Sequence, residues 1–255
     1  ERQIGVTRLD ANGRIPFPTI LPLDGKPLAM AVGPLEAGAK PSLAVIVDQD
    51  GKRVLVTRTA DGKSHAQKLG ENFKSNPVSL TIHDLDQDGQ PDLVVLIPYE
   101  KIKVLIRNGD QYDEQDIAPP GGNAEQPWLS AADVDGDGRK ELLLAQKNFL
   151  RAVVLKAEPR ATDSTNRPPW TFLVKEQING ASSSSRIVGV ASVPNGDAAV
   201  PSLFLLDAER KALTLCERDK AGVWQVVRTV PLPFTDFKEL RPIAAKIDQT
   251  KEFPR

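Results

Sequence analysis

The stretch HDLDQDGQPDLVVL (83–96) returns 49 residues later as ADVDGDGRKELLLA (132–145). A chain with such a period is built from repeated units that stack on one another. Moving the same frame back by 50 residues gives GPLEAGAKPSLAVI (33–46), and a worn copy follows at ASVPNGDAAVPSLFLL (191–206). The final AAKIDQTKEFPR (244–255) reads as the start of a further copy that stops before its apolar run. Each unit has the same order. A short alternating stretch such as PVSLTI leads into an acidic loop, and a continuous apolar run follows (DLVVLI, ELLLA, SLAVIV, SLFLL). A second strand comes next (KIKVLIRN, KRVLVTRT, KALTLCER), then a polar closing strand (QYDEQDIAP, WQVVRTVPLP). Alternation marks half-buried strands, and the unbroken apolar runs mark strands covered on both faces. Asn108-Gly109 and Asp61-Gly62 are hairpin turn pairs.

Four short antiparallel strands per unit, at a period of about 40 to 50 residues, predict the blades of an all-β propeller. The expected blades span 26–76, 77–124, 125–180 and 185–234, with a partial blade at 1–25 and the start of another at 238–255. The opening IGVTRLDANGRIPFPTILP is expected to supply the last two strands of a unit. The interval between the third and fourth apolar runs is longer than the others. Its surplus falls in AEPRATDSTNRPP (157–169), which reads as an extended hairpin loop, while Ser182–Ser185 reads as a linker. A β-sandwich with unequal strand spacing is the competing reading. An open ring would expose unpaired strand edges, so the chain is expected to be part of a larger ring.

Composition narrows the partners. The formal charge is −1 with no block of basic residues, so nucleic acid is not expected. Cys216 is the single cysteine, which rules out an internal disulfide and a thiolate metal cluster. No apolar stretch approaches the roughly 18 residues that span a bilayer. The chain starts ERQIGV and ends EFPR, as a processed chain or an excerpt would.

The acidic loops carry the chemistry. In D-x-D-x-D-G-x-x-D/E, carboxylates at positions 1, 3, 5 and 9 and a backbone carbonyl at position 7 surround a tight glycine turn. An all-oxygen donor set of this kind suits a hard cation of calcium's size. The first set is Asp84, Asp86, Asp88, Asp92 and the carbonyl of Gln90; the second is Asp133, Asp135, Asp137, Glu141 and the carbonyl of Arg139. Gly89 and Gly138 stand at position 6, where a side chain would oppose the turn. An EF-hand needs a bidentate Glu at position 12, but Val95 and Leu144 stand there, inside the apolar runs. Two structural Ca2+ sites are expected, against the alternative of ordinary Asp-Gly turns that need no metal. The other copies keep too few ligands: Glu36 alone, Asn195 with Asp197, and Asp248. VDQDGKR (47–53) lies between two strands and reads as a hairpin turn.

These loops and their following strands resemble the FG-GAP/VCBS repeats of integrin-α-type propellers. The family pattern D-x-D-x-D-G-x-x-D-L matches Asp84, Asp86, Asp88, Gly89, Asp92 and Leu93. In the second copy it matches Asp133, Asp135, Asp137, Gly138, Glu141 and Leu142, with Glu for the last Asp. The motif covers two of the units, and the signatures that name the family are not evident, so a bacterial VCBS-type protein fits better than an integrin. The resemblance implies calcium at one face of the blades and a ring of seven. It also implies an extracellular, periplasmic or cell-surface location, with a role in contact with a protein or carbohydrate ligand.

No H-E-x-x-H, G-x-S-x-G, Walker or G-x-G-x-x-G motif is present. His65 and His83 stand in a unit each without a motif, His83 flanking the first loop, and Cys216 reads as a core residue. Trp128, Trp170, Trp224, Tyr99 and Tyr112 could stack on a sugar, but packing between blades is the plainer use. The expected function is therefore a non-enzymatic binding or scaffold module. A propeller of a polysaccharide lyase-type enzyme is the alternative.

Overall fold

The computed structural model describes residues 3–8, 10–71, 73, 75–97, 101–124, 129–158, 170–196 and 198–233. Among them there is no helix, so none is long and apolar enough to cross a membrane. The fold is all-β, in four-stranded antiparallel blades of the propeller type plus one two-stranded ribbon. Each blade is a meander whose consecutive strands are neighbours.

The first blade holds β3 (Lys26–Gly33), β4 (Ser42–Gln49), β5 (Lys52–Arg58) and β6 (Ser64–Lys68). The second holds β7 (Ser79–His83), β8 (Asp92–Leu96), β9 (Ile102–Asn108) and β10 (Gln111–Ile117). The third holds β11 (Ser130–Ala132), β12 (Glu141–Gln146), β13 (Phe149–Ala157) and β14 (Trp170–Asn179). The fourth holds β15 (Ile187–Val193), β16 (Ser202–Asp207), β17 (Ala212–Arg218) and β18 (Trp224–Pro231). The ribbon is β1 (Gly5–Val6) with β2 (Thr19–Ile20). Only two residues pair on each side, less than the two strands expected there, although Leu21 N–H also bonds to Ile4 C=O.

The continuous apolar runs become the second strand of each blade, buried on both faces as their patterning requires. Every residue of β8 and β12 is buried. The closing strand β18 is mostly exposed. Turn chemistry follows the sequence as well. Asp50 and Gly51, both at positive φ, join Gln49 to Lys52 as a type I′ pair, so VDQDGKR is a hairpin turn. Ser182–Ser185 forms a turn in which Ser182 N–H donates to Ser185 Oγ. Most of the surplus stretch 157–169, the last copy (244–255), Trp128 and Tyr99 lie outside the described residues.

Two compact units result: residues 1–84 with 88–117, and residues 85–87 with 118–255. In the first, Ala44, Ile46 and Leu55 of one blade share a core with Leu80, Leu93, Val95 and Leu105 of the next. In the second, Leu143, Ala145 and Leu150 pack with Ile187, Leu203, Leu205 and Cys216. Burial of one such Leu or Ile is worth about 1.5–3 kcal/mol, so these sheet-on-sheet cores hold the blades together. Ile4, Leu21 and Leu23 from the ribbon region form a smaller cluster with Val45, Val47 and Val54.

Candidate metal centres

Each acidic loop links the first two strands of a blade. His83, the last residue of β7, pairs with Asp92, the first of β8. Ala132, the last of β11, pairs with Glu141, the first of β12. Position 9 of the motif is thus a strand residue, and both carboxylates are buried. Position 2 is apolar and plugs the core: Leu85 and Val134 are fully buried, and Leu35, in the same place of the first blade, nearly so. Leu85 C=O accepts from Leu155 N–H (2.8 Å) and Leu35 C=O from an Arg107 guanidinium nitrogen (2.7 Å).

The loops close on themselves through backbone N–H donors. Gly89 N–H donates to Asp84 Oδ2 (3.0 Å), and Gly138 N–H to Asp133 Oδ2 (2.8 Å). Positions 4 and 6 both have positive φ: Gln87 at 61° and Gly89 at 90°, Gly136 at 85° and Gly138 at 85°. Only the first loop places a side chain in that region, at a cost of about 1 kcal/mol.

The result in each loop is a cluster of three carboxylates. Asp84, Asp86 and Asp92 each offer an oxygen within 4.8 Å of the others, and so do Asp133, Asp135 and Glu141. Mutual repulsion at that distance is on the order of a few kcal/mol per ionised pair near a protein surface. Each cluster also contains a buried carboxylate oxygen with no hydrogen-bond partner among the described residues, Asp84 Oδ1 in the first and Glu141 Oε1 in the second. The other Glu141 oxygen accepts from Val134 N–H at 3.0 Å. Burial, reinforced by the charges of Asp135, Asp137 and Asp133, pushes the Glu141 carboxyl up to about 7.

Position 5 of each loop accepts a backbone N–H from position 7. Asp88 Oδ1 accepts from Gln90 N–H (2.7 Å), and Asp137 Oδ1 from Arg139 N–H (2.8 Å). The Arg139 guanidinium grips Asp137 Oδ2 as well (2.8 Å) and holds the Asp137 carboxyl below its usual range. Sequence reasoning missed three second-unit side chains around the second loop. Lys175 Nζ lies 3.0 Å from Asp135 Oδ2 and 3.9 Å from Asp137 Oδ2. Arg218 donates to the Asp135 carbonyl (2.8 Å) and to Glu176 (3.1 Å). Lys175 is the single cation of β14, and that lone cation in a strand was the available signal.

The remaining candidates are placed as follows. His83 is buried beside the first loop, and His65 is exposed on β6 with its Nε2 3.4 Å from Gln111 Nε2. Cys216 is fully buried, and burial pushes its thiol up to about 12. Tyr112 belongs to the first unit's core, Trp224 packs against the second unit's core, and Trp170 opens β14. Glu36 pairs with Arg107 (3.3 Å) and Asn195 is exposed, while Asp197 and Asp248 lie outside the described residues.

No curated protein matches the chain. Among solved structures, the fold is similar to a candidate 6-phosphogluconolactonase from Bacteroides fragilis, at 15% identity and a TM-score of 0.50. The likeness covers 90% of this chain and 65% of that one, so the chain spans less than two thirds of that structure's length. At this identity it shows the fold alone. Residues 84–144, which contain both complete acidic loops, match the family described as FG-GAP-like repeat. The FG-GAP-like match thus runs from the first acidic loop through the second blade to β12 of the third.

Proposed function

We propose that the chain is a calcium-stabilised propeller module that binds or scaffolds a protein or carbohydrate partner in an exported or surface protein. One observation carries the metal reading. Two carboxylate clusters occur at the same place in successive blades, each with a buried oxygen that has no hydrogen-bond partner among the described residues. A buried polar atom left unpaired costs about 1–3 kcal/mol, more for a charged one, and a bound cation removes that cost. The donors are all oxygens, without imidazole or thiolate, which suits calcium over zinc.

Asp84, Asp86, Asp92, Asp88 and the Gln90 carbonyl would hold the first ion. Asp133, Asp135, Glu141, Asp137 and the Arg139 carbonyl would hold the second. The ion supplies positive charge and pins the start of a buried strand. Loops of this kind in extracellular modules bind calcium at about 10⁻⁴–10⁻³ M, which fills them outside the cell. For the partner, the first unit has a groove of about 740 Å³ lined by Lys40, Lys63, His65, Arg107, Gln111 and Thr59 among others. Leu35, Ala39, Ala60 and Tyr112 share that lining, and such a mixture of apolar and charged groups suits a peptide or a sugar.

Thermal unfolding in excess calcium and in chelator tests the reading, on the native chain and on an Asp86→Ala, Asp135→Ala double variant. At 100 times the dissociation constant each site adds about 2.7 kcal/mol. A calcium-dependent rise in Tm that the double variant lacks is the expected result. Identical curves in calcium and chelator would reduce both loops to ordinary turns.

A further inference from the structure

The third blade contains an irregularity that the second does not, and the fourth has one between the corresponding pair of strands. In the second blade β9 and β10 pair without interruption from Asn108↔Gln111 to Ile102↔Ile117. In the third, the register between β13 and β14 shifts: Ala152 faces Glu176, and Val153 faces Val174. Lys175 is the extra residue of that bulge. Bulges re-aim a side chain out of the regular alternation, and this one carries the only cation on β14 to the acidic loop of its own blade. Its ammonium sits 3.0 Å from Asp135 and 3.9 Å from Asp137, residues at positions 3 and 5 of the motif. The side chain is 27% exposed, so the pair is partly shielded from water.

We infer that Lys175 is a built-in competitor of the metal at the second loop. Its ammonium neutralises Asp135 and Asp137 when no ion is bound and must leave Asp135 when one arrives. The inference rests on the metal reading proposed above. An ammonium and a divalent cation cannot both occupy contact distance on the same carboxylate oxygens without strong mutual repulsion. The tethered charge needs no entry from solvent, so it lowers the apparent affinity of the loop for any soluble cation. The consequence is a second loop that fills only at higher calcium than its carboxylates alone would require. It also keeps its shape when calcium is scarce. Among the described residues Arg139 makes its ion pair with Asp137, whereas Lys175 is the one that reaches Asp135.

The test is calcium titration by calorimetry on the full chain with Asp86→Ala, which silences the first loop. Lys175→Met should tighten binding about fivefold or more, and Lys175→Arg should stay near the parent. An unchanged or weaker affinity in Lys175→Met overturns the inference. If none of the three proteins takes up calcium, the metal reading of this loop has failed, and the inference fails with it. A second measurement avoids reliance on the Met variant folding. The lysines of the native chain are dimethylated and followed by NMR during titration, with Lys175→Arg assigning the signal. The Lys175 resonance should shift in step with occupancy of the second loop. A resonance that stays still while that loop fills is incompatible with displacement.

Discussion

The loops 84–92 and 133–141 share a motif, a place in the blade and a cluster of three carboxylates, yet they are supported differently. Asp92 has an oxygen bonded to Arg107 N–H on β9, so the first loop is tied outward to a neighbouring strand (3.1 Å). Glu141 reaches back to Val134 N–H of its own loop, which its extra methylene allows. At position 4 the first loop forces Gln87 into left-handed φ, whereas the second uses Gly136. Around the second loop gather Arg139, Lys175 and Arg218; the closing strand of the second blade, QYDEQDI, has no cation at all. The motif therefore fixes a shape of loop, while the electrostatic setting is supplied by whatever strand lies beside it.

The comparison can be broken in several ways. The largest effect is expected where the loops hand over to the core. Leu93→Ala and Leu142→Ala each remove a fully buried side chain at position 10 and should cost about 2–5 kcal/mol in urea unfolding. Similar losses in the two would show that both loops seat their strands alike. Next comes Glu141→Gln, which should change sign with metal. In chelator it removes a buried anion from among three aspartates and is expected to stabilise by about 1 kcal/mol or more. In saturating calcium it removes a ligand and should destabilise. A loss of stability in both conditions would contradict the picture of an uncompensated buried charge.

A smaller effect is expected at position 4. Gly136→Ala should cost about 1 kcal/mol through φ alone, because a Cβ there would make only ordinary contacts with Ala199 and Val200 at 3.5 Å. Gln87→Gly should be close to neutral, relief of φ strain opposing the added freedom of the unfolded chain. The smallest effect at neutral pH concerns Cys216, which reports on the second unit. Its thiol is raised to about 12 from an ordinary 9.0, so the folded state keeps a proton that the unfolded state loses. No stability is lost below about pH 9. Above it, stability should fall by up to about 1.4 kcal/mol per pH unit until the folded thiol itself ionises. Cys216→Ala should flatten that slope in urea titrations at pH 8 to 10, and the native thiol should resist alkylation at pH 8 until the chain unfolds.

Much of the blade architecture was readable because period, alternation and turn residues act locally. After Asp92 the run LVVL has no polar position and so reads as a strand covered on both faces. Asp50-Gly51 has the positive φ values that a two-residue hairpin demands. The acidic clusters were readable for the same reason, since positions 1, 3 and 9 belong to one continuous loop. Lys175 was not readable. Its approach to Asp135 depends on a register shift between β13 and β14, and 40 residues of chain separate the two side chains. The bonds that Asp88 and Asp137 accept from the backbone N–H two residues on were hidden as well, since spacing alone does not show them.

Leu35, Leu85 and Val134 occupy one place in three blades, and the first of them sits in a loop that has lost nearly all its acids. The apolar plug therefore outlives the carboxylates around it. On the proposed metal reading, a blade would shed or regain its ion by a few point changes at the rim without losing the lid over its core. Metal dependence would then be a trait set blade by blade, and the number of ions need not follow the number of blades.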